Sequence, residues 1–209
     1  RCWVHCCAVV AIAGGLQIIV SDFLQLFASG GRVLPLPVTL VLQLTEGGEC
    51  TIAVDAVLRL LPRKRLVLHG IWQGRAVALK LFARSAHGAR HIHRERIGLA
   101  AIRAAGIKAP EILAECKTPD NDFVGLVYDW VEAAPELARL WPQLDLHARH
   151  QWLARLGDAL VRLHQRGSWQ SDIHLGNFLV QGEQLWLLDF GTVEIGPAPL
   201  RPDSRPSIS

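Results

Sequence analysis

The chain of 209 residues contains no methionine, a single tyrosine and only a small surplus of positive charge. Lys and Arg together number 22 against 19 for Asp and Glu, which gives a formal net charge of +3. This small surplus excludes the strongly basic composition that is typical of a dedicated nucleic-acid-binding domain. Five cysteines in a chain of this length also exclude a small scaffold held by disulfides. The missing methionine at position 1 predicts a fragment or a processed product.

Formal charge is nearly absent from residues 1–44, where only three residues carry it. Within this range, residues 2–20 are almost all apolar, and their number is just enough to cross a bilayer. A buried helix, a signal-like segment and sequence that does not belong to the folded domain are the alternatives. Residues 1–44 are therefore an apolar leader of uncertain status. At the other end, residues 197–209 are rich in Pro and Ser and predict a flexible tail.

From residue 45 onward the pattern is that of a globular protein. Half of the whole chain is hydrophobic and 20% is charged, so that it can bury a core. Residues 65–68 and 76–82 predict a β-hairpin, and residues 178–180 and 185–188 predict a second one. Apolar periodicity predicts helices over residues 86–105 and 151–165. Residues 123–131 predict a further strand.

The most informative segment lies around the second hairpin. Asn177 directly precedes its first strand and Asp189 directly follows its second, so we expect them to face each other at the open end. An amide oxygen beside a carboxylate suits Mg²⁺ that shares its other positions with phosphate and water. Asp172 lies on the loop that leads to the same end, where a carboxylate can accept the proton of an attacking hydroxyl. The alternative is that the three side chains only cap turns.

Lys80 ends a strand of apolar residues, and a lysine in such surroundings needs an anionic partner. Glu95 is the only acidic residue between Lys80 and Glu111. It lies in helical register with Ile92 and Leu99 and should face inward with them. The pattern predicts an ion pair between Lys80 and Glu95, the alternative being a solvated lysine and a glutamate at the helix edge.

These residues, in this order, resemble the protein-kinase-like superfamily. The segment 170–180 and the residues Trp72, Gly74 and Lys80-Leu81-Phe82 look most like its lipopolysaccharide kinase branch, bacterial enzymes that phosphorylate sugars of the lipopolysaccharide core. The resemblance covers roughly residues 60–195. It implies an α+β, two-lobed protein-kinase-like fold with an incomplete C-terminal lobe. The N-lobe would comprise residues 45–130 and the partial C-lobe residues 131–196.

The resemblance also implies how a nucleotide would be held. Lys80 would contact the phosphates of ATP and take part in catalysis, and Glu95 would orient Lys80. Residues 127–131 would form the hinge whose backbone pairs with adenine, with Asp129 and Val131 as cofactor-binding residues. Asp172 would be the catalytic base.

Asn177 and Asp189 would bind Mg²⁺ in this family arrangement. The implied function is ATP-dependent transfer of phosphate to a hydroxyl of a lipopolysaccharide core sugar, with ATP and Mg²⁺ as cofactors and no nucleic-acid partner. The implied location is the cytoplasm, with peripheral association at the inner face of the bacterial inner membrane. The alternative is a kinase-fold remnant that binds nucleotide or a partner without efficient transfer.

Three features depart from the family pattern. No Gly-x-Gly-x-x-Gly loop precedes Lys80, so that covering of the phosphates must be looser or made by other backbone. Gln170 and Ser171 stand where protein kinases have His and Arg, which argues against control by a phosphorylated activation loop. Only 18 residues follow Gly191, whereas family members continue with further helices.

Overall fold

The computed structural model describes residues 36–196 together with Leu24, Gln25 and Phe27. The apolar segment 2–20 and the predicted tail 197–209 lie outside the described residues. Within the described part of the chain, no helix is long and apolar enough to cross a membrane.

The described residues divide into two compact units. Unit 1 comprises the described residues up to Ile92 and the segment Glu111–Trp130. Unit 2 comprises His93–Pro110 and the described residues from Val131 onward. The change from unit 1 to unit 2 at Trp130 falls inside the hinge that the resemblance implied.

Unit 1 is built on one antiparallel sheet of six strands. The strands are β1 (Val38–Leu44), β2 (Glu49–Leu61), β3 (Arg65–Trp72), β4 (Arg75–Ala83), β5 (Ile112–Lys117) and β6 (Phe123–Asp129). Their order in the sheet is β1-β2-β3-β4-β6-β5, and pairing of Leu44 in β1 with Cys116 in β5 closes the sheet on itself. The predicted first hairpin is β3–β4, and its turn lies at Gln73 and Gly74, whose φ values are 52° and 78°.

The core of unit 1 fills the inside of this closed sheet. Side chains alternate between the two faces of a strand, and β1 and the first half of β2 show this directly, with alternate apolar residues buried. Leu24 and Phe27 also belong to this core, and the rings of Phe27 and Phe123 lie 5.4 Å apart. These two residues and β1 fall within residues 1–44, whose status the sequence left open.

Unit 2 contains two short two-stranded sheets. Helix α1 (Gly88–Ala104) begins in unit 1 and ends in unit 2. The other elements are the helices α2 (Leu137–Leu140) and α3 (Leu146–Gln165) and the strands β7 (Ser168–Gln170), β8 (Phe178–Gln181), β9 (Gln184–Leu187) and β10 (Val193–Ile195). Helix α3 starts earlier than predicted because Asp145 caps it, with Asp145 Oδ1 accepting from Ala148 N at 2.7 Å.

Two cysteines lie in the core of unit 1, Cys50 opposite Leu42 and Cys116 opposite Leu44. Both side chains are 1% exposed. Burial raises the pKa of Cys50 to about 11 and that of Cys116 to about 12, and the neighbouring Cys50 thiol adds to the second effect. Both thiols therefore stay protonated in the folded state well above neutral pH.

We predict that these two thiols make the folded protein less stable in alkaline solution. In the unfolded chain they ionise near pH 9, whereas in the folded chain they keep their protons up to about pH 11, so that the unfolded state is favoured as pH rises between these values. The Tm should therefore fall less steeply between about pH 8 and about pH 10.5 in a Cys50→Ala/Cys116→Ala variant than in the wild-type chain. Parallel pH dependences would contradict this assignment.

Candidate active site

The loop that carries Asp172 begins where β7 ends. β7 pairs antiparallel with β10, with Gln170 opposite Val193. Directly after β7, Ser171 donates to the carbonyl of Thr192 twice, from its backbone nitrogen at 3.0 Å and from its hydroxyl at 2.8 Å. The start of the loop is thus tied to the segment that follows Asp189.

Asn177 ends this loop and is only 3% exposed. Its side-chain nitrogen donates to the backbone carbonyl of Asp172 at 2.9 Å, and its backbone nitrogen donates to the carbonyl of His174 at 3.0 Å. The first of these bonds joins the two candidate residues directly. Because it uses the amide nitrogen of Asn177, the amide oxygen is the atom left to bind a ligand.

The hairpin β8–β9 places Asp189 close to Asn177 with an offset of one residue. Phe178 pairs with Leu187, and the Leu188 nitrogen donates to the Asn177 carbonyl at 2.8 Å. Asn177 therefore lies opposite Leu188, and Asp189 comes next along the chain. The sequence pattern predicts Asn177 and Asp189 directly opposite each other, and the structure shows this offset instead. The offset arises because the turn has two residues, with Gly182 at φ 59°, and β9 starts one residue earlier than expected.

The backbone of Asp189 is left-handed, with φ 54° and ψ 66°. For a residue other than glycine this conformation costs on the order of 1 kcal/mol and persists only when its surroundings hold it. Gln170 Nε2 donates to the Asp189 carbonyl at 3.3 Å. The Thr192 hydroxyl lies 2.8 Å from the same carbonyl oxygen and 2.6 Å from Gln170 Oε1. These two side chains hold the aspartate in place.

His174 lies beside Asp172 on the exposed side of the loop. The Gly176 nitrogen donates to His174 Nδ1 at 3.1 Å, so that the neutral ring carries its proton on Nε2. This Nε2 lies 3.8 Å from Asp172 Oδ2, and both side chains are about half exposed, at 47% and 50%. The ring therefore directs a donor toward the carboxylate.

Helix α1 packs directly against the backbone of Phe190 and Gly191. A Cβ atom on Gly98 would lie 1.9 Å from the Phe190 carbonyl oxygen. A Cβ atom on Gly191 would lie 2.8 Å from Glu95 Oε1. Glu95 is 2% exposed and shares the buried face of α1 with Leu99, which confirms that it faces inward. The predicted ion pair with Lys80 stays a prediction.

Lys80 lies in the middle of β4, between Val67 and Leu126 on the neighbouring strands. Its side chain is 8% exposed, and its Nζ lies 5.7 Å from the centre of the Phe82 ring. The lysine thus lies on a strand in largely apolar surroundings, as predicted. The prediction that it ends the strand is wrong, because β4 continues to pair with β6 as far as Ala83.

At the end of β6, Asp129 makes its contacts within unit 1. Arg75 binds the two Asp129 carboxylate oxygens through Nε and Nη2, each at 2.9 Å, and this hydrogen bonding raises the pKa of Arg75. The Asp129 nitrogen donates to the Glu111 carbonyl at 2.8 Å. The carboxylate and the backbone N–H of Asp129 therefore both have partners. The adenine-binding roles of Asp129 and Val131 stay predictions.

Four candidate site residues have roles that the sequence alone does not reveal. They are Gln170, Thr192, His174 and Gly98. Thr192 is 22 residues from Gln170, and no periodic pattern connects them. His174 could have been found from its position two residues after Asp172 on the same loop. Gly98 could have been found as an isolated glycine in a helical pattern, which indicates a close approach of another segment.

A model of the APH phosphotransferase enzyme family matches residues 55–168, more than half of the chain. The chain belongs to this phosphotransferase family. The match ends at Ser168, before the loop of Asp172, so the roles of the loop residues depend on the geometry described above. A search of curated proteins found no match.

Solved structures show the same fold. Vaccinia related kinase 3 is 17% identical with a TM-score of 0.53, and the alignment covers 82% of this chain and 56% of that one. WbdD is 21% identical with a TM-score of 0.53, and the alignment covers 70% of this chain and 34% of that one. These likenesses confirm an α+β protein-kinase-like fold. This chain spans little more than half of the first of these proteins and about a third of the second.

We predict opposite effects for two helical glycine substitutions. Gly98→Ala should destabilise the protein by about 1–3 kcal/mol, because the new methyl group would collide with the Phe190 carbonyl. Gly157→Ala, in α3, meets no atom within 4 Å and should stabilise by about 0.5–1 kcal/mol through helix propensity alone. Urea unfolding of both variants measures the difference. Equal changes in the free energy of unfolding would contradict the close contact between Gly98 in α1 and the Phe190 carbonyl.

We also predict that the Thr192 hydroxyl, rather than its shape, holds Asp189. Thr192→Val keeps the shape and should cost about 1–2 kcal/mol, because it removes the one hydroxyl proton that the Asp189 carbonyl or Gln170 Oε1 accepts. Thr192→Ser keeps the hydroxyl and should retain more of the free energy of unfolding, which urea titration measures. A serine variant as unstable as the valine variant would contradict the prediction.

Proposed function

We propose that this chain is an ATP-dependent kinase that phosphorylates a hydroxyl of a lipopolysaccharide core sugar. The observation that supports this most is the connected set of contacts in unit 2 around Asp172, Asn177 and Asp189. The Asn177 side chain binds the Asp172 carbonyl, and the Asn177 carbonyl binds the nitrogen of Leu188, next to Asp189. Such a set holds a carboxylate base near two oxygen ligands, as phosphoryl transfer requires.

The donor atoms of Asn177 and Asp189 fit Mg²⁺. The amide oxygen of Asn177 and the carboxylate of Asp189 are hard oxygen ligands, and Mg²⁺ typically takes only one or two such groups from a protein. Among the described residues there is no cluster of three or more His, Cys, Asp or Glu side chains that could hold a metal by itself. An incomplete pair therefore suits a metal shared with nucleotide phosphates. When bound, Mg²⁺ would neutralise phosphate charge.

Asp172 would act as the base in the transfer step. The acceptor hydroxyl oxygen forms a bond to the terminal phosphorus of ATP, the bond from that phosphorus to the bridging oxygen breaks, and ADP leaves. The proton of the hydroxyl passes to the Asp172 carboxylate. His174 Nε2–H, 3.8 Å from Asp172 Oδ2, would help to keep that carboxylate oriented toward the acceptor.

Lys80 would bind the phosphates of ATP, with Glu95 as the anion that orients it. The low exposure of both side chains, 8% and 2%, supports this because buried charges are normally paired. Residues 127–131 would form the adenine-binding hinge.

The proposal of a lipopolysaccharide core sugar as acceptor rests on the resemblance of residues 170–180 to lipopolysaccharide kinases. The proposed location at the inner face of the bacterial inner membrane rests on the same resemblance. The same resemblance supports the assignment of residues 45–130 as N-lobe and 131–196 as partial C-lobe. The family itself supports phosphotransfer in general.

The test measures nucleotide binding and transfer separately. We expect ATP to raise the Tm when Mg²⁺ is present and much less in EDTA, since a ligand of the folded state stabilises it by mass action. Asp189→Ala should remove most of this shift. Asp172→Asn should keep the shift but abolish phosphate transfer to purified core oligosaccharide, because the amide cannot accept the proton.

The control is Asp158→Asn, an exposed carboxylate of α3 that should leave both readouts unchanged. A Tm shift of equal size in EDTA would contradict the metal assignment. Binding of Mg-ATP without any transfer would instead favour the alternative of a kinase-fold remnant.

A further inference from the structure

The sheet of β7 and β10, which flanks the loop of Asp172, has one buried and one exposed face. Ser168 and Gln170 of β7 are each 3% exposed, whereas Trp169 between them is 39% exposed. Because side chains alternate along a strand, Trp169 lies on the opposite face from Ser168 and Gln170. A large aromatic ring is therefore open to solvent directly before the loop that carries the candidate base.

A carboxylate lies beside this ring on the same face. Glu194 of β10 pairs directly with Trp169 of β7. Directly paired residues share a face, and their Cβ atoms are about 5 Å apart. Glu194 is exposed, and within the described part of the chain its side chain forms no ion pair and no hydrogen bond. The face thus offers an apolar ring next to a charged hydrogen-bond acceptor.

The backbone at Gly196 holds one edge of the indole ring. A Cβ atom on Gly196 would lie 2.4 Å from Trp169 Cζ3 and 2.8 Å from Cη2, so that the ring lies directly against this glycine. The Gly196 nitrogen donates to the Gly167 carbonyl at 2.8 Å, which fixes the glycine beside β7. A ring that is held in place before a ligand arrives loses little conformational freedom on binding.

The exposed face continues into the loop of Asp172. Asp172 follows Trp169 by three residues, so that their Cα atoms are at most about 11 Å apart. Between them, the Ser171 nitrogen donates to the Thr192 carbonyl at 3.0 Å and extends the pairing of the two strands. The Asp172 side chain is half exposed. An oligosaccharide with a hydroxyl at Asp172 can therefore also reach the indole ring.

We propose that Trp169 and Glu194 bind a sugar ring of the acceptor and select for it. This inference rests on the proposed function, since it concerns the acceptor whose hydroxyl Asp172 would deprotonate. A sugar ring has a face lined by C–H groups, which packs on an aromatic ring, and hydroxyl groups at its edge, which donate to a carboxylate. Trp169 supplies the first contact and Glu194 the second.

The test measures the affinity of purified core oligosaccharide by calorimetry without nucleotide, together with the kinetics of transfer. In Trp169→Ala we expect the affinity to fall about tenfold and the KM for oligosaccharide to rise equally, because the aromatic contact is lost. The kcat and the KM for ATP should change less than about twofold, since this ring binds the substrate and the transition state alike. Glu194→Gln should weaken binding about threefold, because an amide is a weaker acceptor than a carboxylate.

The matched control is Leu153→Ala, which removes an apolar side chain of α3 that is 47% exposed and should leave every readout unchanged. Two further variants separate binding from folding. Trp169→Phe keeps an aromatic ring and should retain more affinity than Trp169→Leu, which is apolar but not aromatic. Thermal unfolding of both variants shows whether their Tm values are comparable.

Unchanged oligosaccharide affinity in Trp169→Ala would overturn the proposal, as would equal affinities of the Phe and Leu variants. Phosphate transfer that none of the Trp169 variants affects would overturn this inference alone and leave the proposed function intact. Binding that depends on Trp169 in a chain without transfer would support this inference and contradict the proposed kinase activity.

Discussion

The left-handed backbone of Asp189 is the constraint on which the geometry of unit 2 depends. Gln170 and Thr192 hold its carbonyl, and Thr192 in turn receives both donors of Ser171. The chain reverses at Asp189 and brings Gly191 beside Glu95. The Gln170 amide and the Thr192 hydroxyl thus hold the Asp189 carbonyl, and α1 meets the next two residues, Phe190 and Gly191, by close packing.

In unit 1 the closed sheet serves a different purpose. Its inside is filled with apolar side chains, and its outer face carries Lys80 in a row with Arg59. Because the strands are paired on both sides, the position of Lys80 is fixed by backbone hydrogen bonds as well as by its own contacts. A rigid sheet of this kind can present cations at defined spacing.

Much of the local structure could be predicted from the sequence. Both hairpins, the helix that carries Glu95 and the inward direction of Glu95 followed from spacing, because periodicity reports which face of an element is buried. The strands β2, β7 and β10 were not predicted, and neither were β1 and β5. They pair with each other across more than 60 residues, and such non-local pairing leaves little signal in any short window.

The sequence by itself determined which chemical groups are present and in what order: a strand lysine, a helix glutamate, and the Asp172, Asn177 and Asp189 set around a hairpin. Only the tertiary structure decided the one-residue offset between Asn177 and Asp189, and the contact of Gly98 with Phe190. It also decided that Gln170 and Thr192 hold the Asp189 carbonyl. The physical reason is that spacing reports local periodicity, whereas register, close packing and hydrogen bonds between distant residues depend on the folded backbone.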